Sequence, residues 1–227
     1  MTAPANTRLA LFDLDNTLLT GDTDVLWCDF LIAQGRLDGA TFAAANADME
    51  ARYRAGNATA DEFCEFYVSL LKGITRPEGE LLRRRFLDEI ISPRLSADAR
   101  ALVEKHRADG DVLILTTATN RFTTELTSLE LGIENLIAIE TEIVDETFTG
   151  KSRGVLNMRE GKVVRLTQWL QARDWPQSLI AEATFYSDSI NDLPLLSRVA
   201  NPIAVDPDEK LSREVAARGW PTINLGR

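Results

Sequence analysis

Two aspartates one residue apart, Asp13 and Asp15, end an apolar run in the segment RLALFDLDNTLLTGD. Apolar runs of this kind are buried, and a buried carboxylate is costly unless something pairs with it. The pair is either a solvated strand end or a group that holds a cation and does chemistry. Other polar residues follow later apolar runs: Thr116, Thr117, Thr119 and Asn120 after one, and Asp188, Ser189, Asn191 and Asp192 after another, with Lys162 between them. In open α/β sheets, ligands bind beyond the carboxyl ends of the strands. If those strands are neighbours, Asp13, Asp15, Asp188 and Asp192 converge. Two like charges about 4 Å apart repel by about 4 kcal/mol at an effective dielectric near 20. Such a cluster calls for a cation, and a donor set made only of oxygen favours Mg²⁺.

The elements that must position these groups are legible from periodicity. Leu9–Phe12, Val112–Leu115 and Thr184–Tyr186 read as buried parallel strands, Leu136–Ile139 as a fourth, and Pro202–Val205 and Thr222–Leu225 as short additions. Helical patterns alternate with them, at Asn120–Leu131 and Gly161–Ala172 for example, which predicts an α/β fold with a doubly wound, Rossmann-like parallel sheet. In DPDEKL, Asp206 reads as an N-cap, followed by Pro207 and completed by Glu209. Between the first two strands no strand pattern occurs. Asp24–Gln34, Gly39–Arg54, the stripe Phe63, Phe66, Tyr67, Leu70 and Leu71, and Pro77–Ile90 all read as helices. The expectation is a helical cap over residues 21–92, set into a core of residues 1–20 and 93–227. TEIVDETFTG reads as a hairpin.

Composition bounds the function. The chain has 227 residues, 44% of them apolar and 26% charged, as in soluble globular proteins. A net charge of −10 argues against an extended nucleic-acid or anionic-membrane surface, though not against a local pocket for phosphate. The absence of a signal-peptide pattern or a membrane-length apolar run makes the cytoplasm the expected location. Cys28 and Cys64 fall in helical patterns and read as reduced packing residues. The single histidine, His106, edges a core face, and Arg83–Phe86 reads as a solvated helix face.

The motifs together resemble those of the haloacid dehalogenase-like (HAD) phosphohydrolases, and within them the phosphoserine-phosphatase-like subgroup with a helical cap after the first motif. DLDNT resembles the first motif, LILTTAT the second, Lys162 in EGKVVRL the third and SDSIND the fourth. Four motifs in order over nearly the whole chain are far more specific than DxDxT alone. The resemblance implies that Asp13 is the nucleophile and Asp15 the general acid and base. It implies that Thr117, beside Ala118 and Asn191, binds the phosphoryl group, with Thr116 and Thr119 as alternative registers. Lys162 would compensate the charge, with Lys151 as the fallback. Mg²⁺ would bind Asp13, Asp188 and the backbone carbonyl of Asp15, with Asp192 as ligand or close support.

The implied substrate is a small phosphomonoester, acted on by a monomer or homodimer. Phosphoserine-specific relatives carry an acid shortly after DxDxT for the substrate amine, and Asp22 holds that place here. They also carry a cap arginine for the carboxylate. In FCEFYVSLLKG the acidic Glu65 falls near that position, either in the cleft or in solvent. An acid there would favour an amine and repel a carboxylate, so histidinol phosphate is expected ahead of phosphoserine. A phosphotransferase or mutase, or a non-catalytic binding module on the same fold, is the alternative.

Overall fold

The computed structural model describes residues 3, 4 and 6–226. Its centre is β1 (Leu9–Phe12), four consecutive residues that are all buried. Successive side chains of a strand point to opposite faces, and here each face meets its own apolar layer. Ala10 and Phe12 pack with Leu113, Leu115 and Ala138 on one side. Leu9 and Leu11 pack with Ile114 and Ile137 on the other. A strand covered on both faces must be apolar at every position, which accounts for the unbroken run LALF.

The sheet has seven strands in the order β4-β3-β2-β1-β5-β6-β7. β2 (Val112–Asn120), β3 (Asn135–Val144), β5 (Thr184–Ser187), β6 (Asn201–Val205) and β7 (Thr222–Ile223) run parallel to their neighbours in the β1 direction. β4 (Thr147–Arg153) is antiparallel to β3. Asp145 and Glu146, both with positive φ, form the turn between them, the backbone that a two-residue hairpin loop needs. The chain order reverses about β1, with β2 on one side and β5 on the other, so the crevice at their carboxyl ends is the switch point where ligands bind.

Five α-helices follow β1 before β2 among the described residues, the first four being α1 (Thr23–Ala33), α2 (Gly39–Ala55), α3 (Ala60–Ser69) and α4 (Arg76–Phe86). Thr59 and Glu62 cap α3 reciprocally, and a π-helical turn at Leu87–Ile91 ends the run. Trp27, Phe63, Tyr67 and Phe86 from these helices share one apolar cluster with Phe12 and with α5 (Ala97–Ala108). The β3–β4 hairpin also holds the helical segment. Phe148 N–H donates to Ile74 O at 2.9 Å, and Gly73 N–H to Phe148 O at 2.9 Å. Cys28 and Cys64 are free and buried in this region, and burial pushes their thiols up to about 11 and about 12.

α6 (Arg121–Glu130), α7 (Glu160–Gln171), α8 (Leu179–Glu182), α9 (Leu193–Leu196) and α10 (Glu209–Arg218) complete the layers. One cap differs from expectation. Asp208, not Asp206, opens α10, accepting from Leu211 N–H at 2.7 Å. Asp206 lies at φ 42° and turns its carboxylate to Asn224 and Leu225 instead. His106 is buried, with Nδ1 2.6 Å from Asp111 and Nε2 2.8 Å from the Tyr186 hydroxyl. It fastens α5 to β5, away from the crevice.

The turn into α7 is tight. Gly161 N–H donates to Met158 O at 2.8 Å, and a Cβ on Gly161 would lie 1.9 Å from Leu156 O. Backbone cannot move aside as a side chain can. Gly161→Ala is therefore expected to destabilise the fold by about 1–3 kcal/mol in a denaturant titration, as overpacking does.

Candidate active site

The carboxyl ends of β1, β2 and β5 open into a cavity of about 480 Å³ whose lining includes Asp13, Asp15, Lys162, Asp188 and Asp192. Asp13 comes first after β1 and is 6% exposed. Its Oδ1 accepts from Lys162 Nζ at 2.8 Å, and its Oδ2 accepts from the Thr17 hydroxyl at 2.9 Å. Lys162 sits in the first turn of α7, 2% exposed, and donates also to Asp192 Oδ2 at 2.7 Å. Burial alone would favour a neutral lysine. The charges of Asp13 and Asp192 outweigh it and hold the ammonium above its ordinary range.

Asp192 is buried, and Ser187 Oγ donates to the same oxygen at 2.7 Å. Burial pushes its carboxyl up to about 6 against the pull of Lys162. Asp192 is thus the counter-ion of the lysine, where ligand or close support of the ion was expected of it. Asp188, half-buried, approaches the other side of Asp13. The Thr17 hydroxyl is 3.2 Å from Asp188 Oδ1 and accepts from Asp188 N–H at 3.0 Å. Asp13 and Asp188 therefore reach one oxygen atom. Among the described residues, no three acidic, histidine or cysteine side chains gather into a closed metal cage. The donor set is two carboxylates beside an open cavity.

The Asp15 carboxylate turns to the opposite wall. Its Oδ1 accepts from Thr23 N–H at 2.7 Å and from the Thr23 hydroxyl, and its Oδ2 from Thr119 at 2.8 Å and Thr117 at 3.3 Å. Burial, then the charge of Asp13, raises its pKa above the usual carboxylate range. The three threonines of β2 divide by direction. Thr116 faces inward and accepts from Asn157 at 3.0 Å, whereas Thr117 and Thr119 face Asp15. Thr117 is fully buried, and it is Ala118 and Thr119 that line the cavity.

Asp22, Asn191 and Ala118 line the cavity as expected of substrate contacts. Asp22 caps α1, accepting from Asp24 N–H at 2.9 Å, and burial followed by the Asp15 charge pushes it up to about 7. Glu65 does not join them. It is exposed on α3, whose apolar stripe of Phe63, Cys64, Tyr67 and Val68 turns inward and leaves Glu65 to solvent. Lys151 is exposed on β4, outside the lining.

The acid that α2 presents to the cavity is Glu50, beside Tyr53, whose hydroxyl accepts from Asn191 Nδ2 at 3.1 Å. Sequence periodicity had no means of selecting these two. Their helix has no clear apolar stripe, and only Gly39–Arg54 as a whole reads as helical. Asp24, 4% exposed behind Asp15, was also unmarked. It lies 3.3 Å from the Thr119 hydroxyl, with Oδ1 making no hydrogen bond.

Comparisons with known proteins agree with this geometry. Residues 10–197 match the family model of haloacid dehalogenase-like hydrolases. A histidinol-phosphatase of Neisseria meningitidis serogroup C is 38% identical over 219 residues, covering 96% of this chain and 99% of its own. A Bordetella pertussis Tohama I protein of unknown function superposes with a TM-score of 0.89 at 42% identity, covering 96% of this chain and 99% of its own. A substrate-bound phosphoserine phosphatase shares the fold, with a TM-score of 0.70 at 16% identity over 99% of this chain and 95% of its own.

Asp22 allows a test of the electrostatics. Its carboxyl ionises less readily in the folded chain than in the unfolded one, so the folded form holds the extra proton between the ordinary carboxylate range and about 7. Stability contributed this way falls as pH rises through that window. Asparagine caps helices as well as aspartate. Asp22→Asn is therefore expected to melt above the wild type near pH 8, with the gap narrowing steadily toward about pH 4. A gap independent of pH would mean that burial of this carboxylate carries no cost.

Proposed function

The chain belongs to the haloacid dehalogenase-like hydrolases and is a phosphatase of that family, and we propose that it hydrolyses a small amino-bearing phosphomonoester through an aspartyl-phosphate on Asp13. Histidinol phosphate is the favoured substrate and phosphoserine the second. The observation that carries the reading is the placement of Asp13, which has Lys162 on one oxygen, Thr17 on the other, and Asp15 two residues on.

In the first step an Asp13 oxygen attacks phosphorus and the bond to the alcohol oxygen breaks. Asp15 supplies the proton that the leaving alkoxide needs, and its raised pKa suits a donor. Water then attacks the aspartyl-phosphate while Asp15 takes its proton, which releases phosphate and restores Asp13. Lys162 stays within reach of the transferring oxygens throughout and offsets their charge. Thr117 and Thr119, fixed on Asp15, set the direction of its carboxyl.

Mg²⁺ fits the pair Asp13 and Asp188, joined by the Asp15 carbonyl, because this ion uses one or two carboxylates and keeps several waters. When bound it would neutralise charge on the phosphoryl group. Residues 21–92 serve as the cap, and the Tyr53–Asn191 hydrogen bond is one point where it meets the core. Asp22 and Glu50 place two acids on the wall that would face the substrate's amine. With the histidinol-phosphatase relative, they support the ranking of substrates.

Asp13→Asn is expected to lower turnover by at least about 10⁴-fold, the scale seen when a nucleophile is removed, in a chain that still folds but melts lower, because Lys162 loses one of its two carboxylates. Near-normal activity in that variant would refute the nucleophile. A panel of phosphomonoesters assayed with and without EDTA should show metal-dependent release of inorganic phosphate with no added acceptor. That result separates hydrolysis from phosphotransfer. Histidinol phosphate should lead the panel, and a large preference for phosphoserine would reverse the ranking.

A further inference from the structure

Between Asn157 and Lys162 the chain makes a turn that its own sequence makes expensive. Met158 O accepts from Gly161 N–H at 2.8 Å, so Met158–Gly161 is a hydrogen-bonded β-turn. Its first central residue, Arg159, has φ 49° and ψ −123°. Those angles are those of a type II′ turn, where the first central position strongly favours glycine. A side chain held there strains the backbone, a cost that persists only where the surroundings or the function require it. The glycine of this turn stands two places later, at Gly161.

What the arginine does with its charge is equally unusual. It is half-buried and lines the cavity, three residues before Lys162. Its charge reaches the phenol of Tyr53 across the same cavity. Yet Arg159 makes no ion pair among the described residues, and its Nε is enclosed with no acceptor. Lys162, by contrast, is committed to two carboxylates. A buried donor without a partner calls for an explanation, and a guanidinium forks naturally onto two oxygens of a phosphate.

We propose that Arg159 is a substrate-binding residue whose guanidinium takes the outer oxygens of the phosphomonoester's phosphoryl group, opposite Lys162. The inference rests on the phosphatase reading and adds a second cation to it. Phosphate, not a carboxylate, is the ligand, because phosphate is the one anion common to every substrate of this class.

The test uses the full-length chain in Mg²⁺ with para-nitrophenyl phosphate, which has neither amine nor carboxylate, and with inorganic phosphate measured by calorimetry. Arg159→Met should raise KM and weaken phosphate binding by about 10- to 100-fold, the loss of one charge-assisted contact. Arg159→Lys should recover part of that loss. Arg159→Gly relaxes the turn, so it should lose phosphate affinity with no fall in melting temperature, whereas a purely structural arginine would lower it. Unchanged KM and phosphate affinity in Arg159→Met would overturn the proposal. With phosphoserine assayed alongside, a defect on it that is absent with the aryl ester and with phosphate would do the same, because it would make a carboxylate the ligand. Phosphate binding is read without turnover, so a wild type inactive on the aryl ester would count against the phosphatase reading alone.

Discussion

An ammonium group almost wholly shut off from water governs this molecule. Lys162 lies between Asp13 and Asp192 at hydrogen-bonding distance from each. A buried ion pair is weak support for stability, but removing one partner from it is severely destabilising. The three charges are therefore held together or not at all. Each comes from a different part of the chain: the end of β1, the first turn of α7 and the segment after β5. The sheet order, with β5 beside β1, brings the two acids to one edge, and the tight turn at Gly161 aims the lysine at them. The fold serves to keep this triad assembled, and the crevice beside it is where the consequences are felt.

Around that centre the two acids of DLDNT are divided by their surroundings. Asp13 faces the Lys162 ammonium and the Thr17 hydroxyl, whereas Asp15 is embedded among Thr23, Thr117 and Thr119 with few charges to balance it. The same side chain two residues apart is thus given two electrostatic settings, as the proposed division between an attacking group and a proton carrier requires.

Much of this was readable from the chain. Asp13, Asp15, Lys162 and Asp188 stand at the ends of apolar runs or in a marked helix start, whereas which strand ends lie side by side comes from the sheet order. Thr117 was expected at the phosphoryl group, but β2 continues to Asn120 instead of stopping at Leu115, and Thr117 lies buried against Asp15 while Ala118 and Thr119 line the cavity. The misses have local causes. Glu65 entered through the resemblance to a cap arginine, with cleft and solvent both open, because spacing gives a face and not what lies opposite; its exposure decides for solvent. Glu50 and Tyr53 sit on a helix with little apolar pattern, so nothing in the sequence distinguished its cavity side. Asp206 looked like the cap because Pro207 follows it, and only the positive φ at Asp206 moves the cap to Asp208. Arg159 carried no signal at all, since an arginine before a helix reads as solvated.

The two cysteines have a practical side. Both thiols are enclosed in the helical segment and resist ionisation, and the thiolate is the form that reacts with electrophiles. The native chain is thus nearly silent toward maleimide dyes under mild conditions. A cysteine introduced at an exposed position of α2, with a second on the core, could be labelled without first removing the natural pair. Any movement of the helices over the crevice would then be visible as a change in fluorescence energy transfer, one molecule at a time.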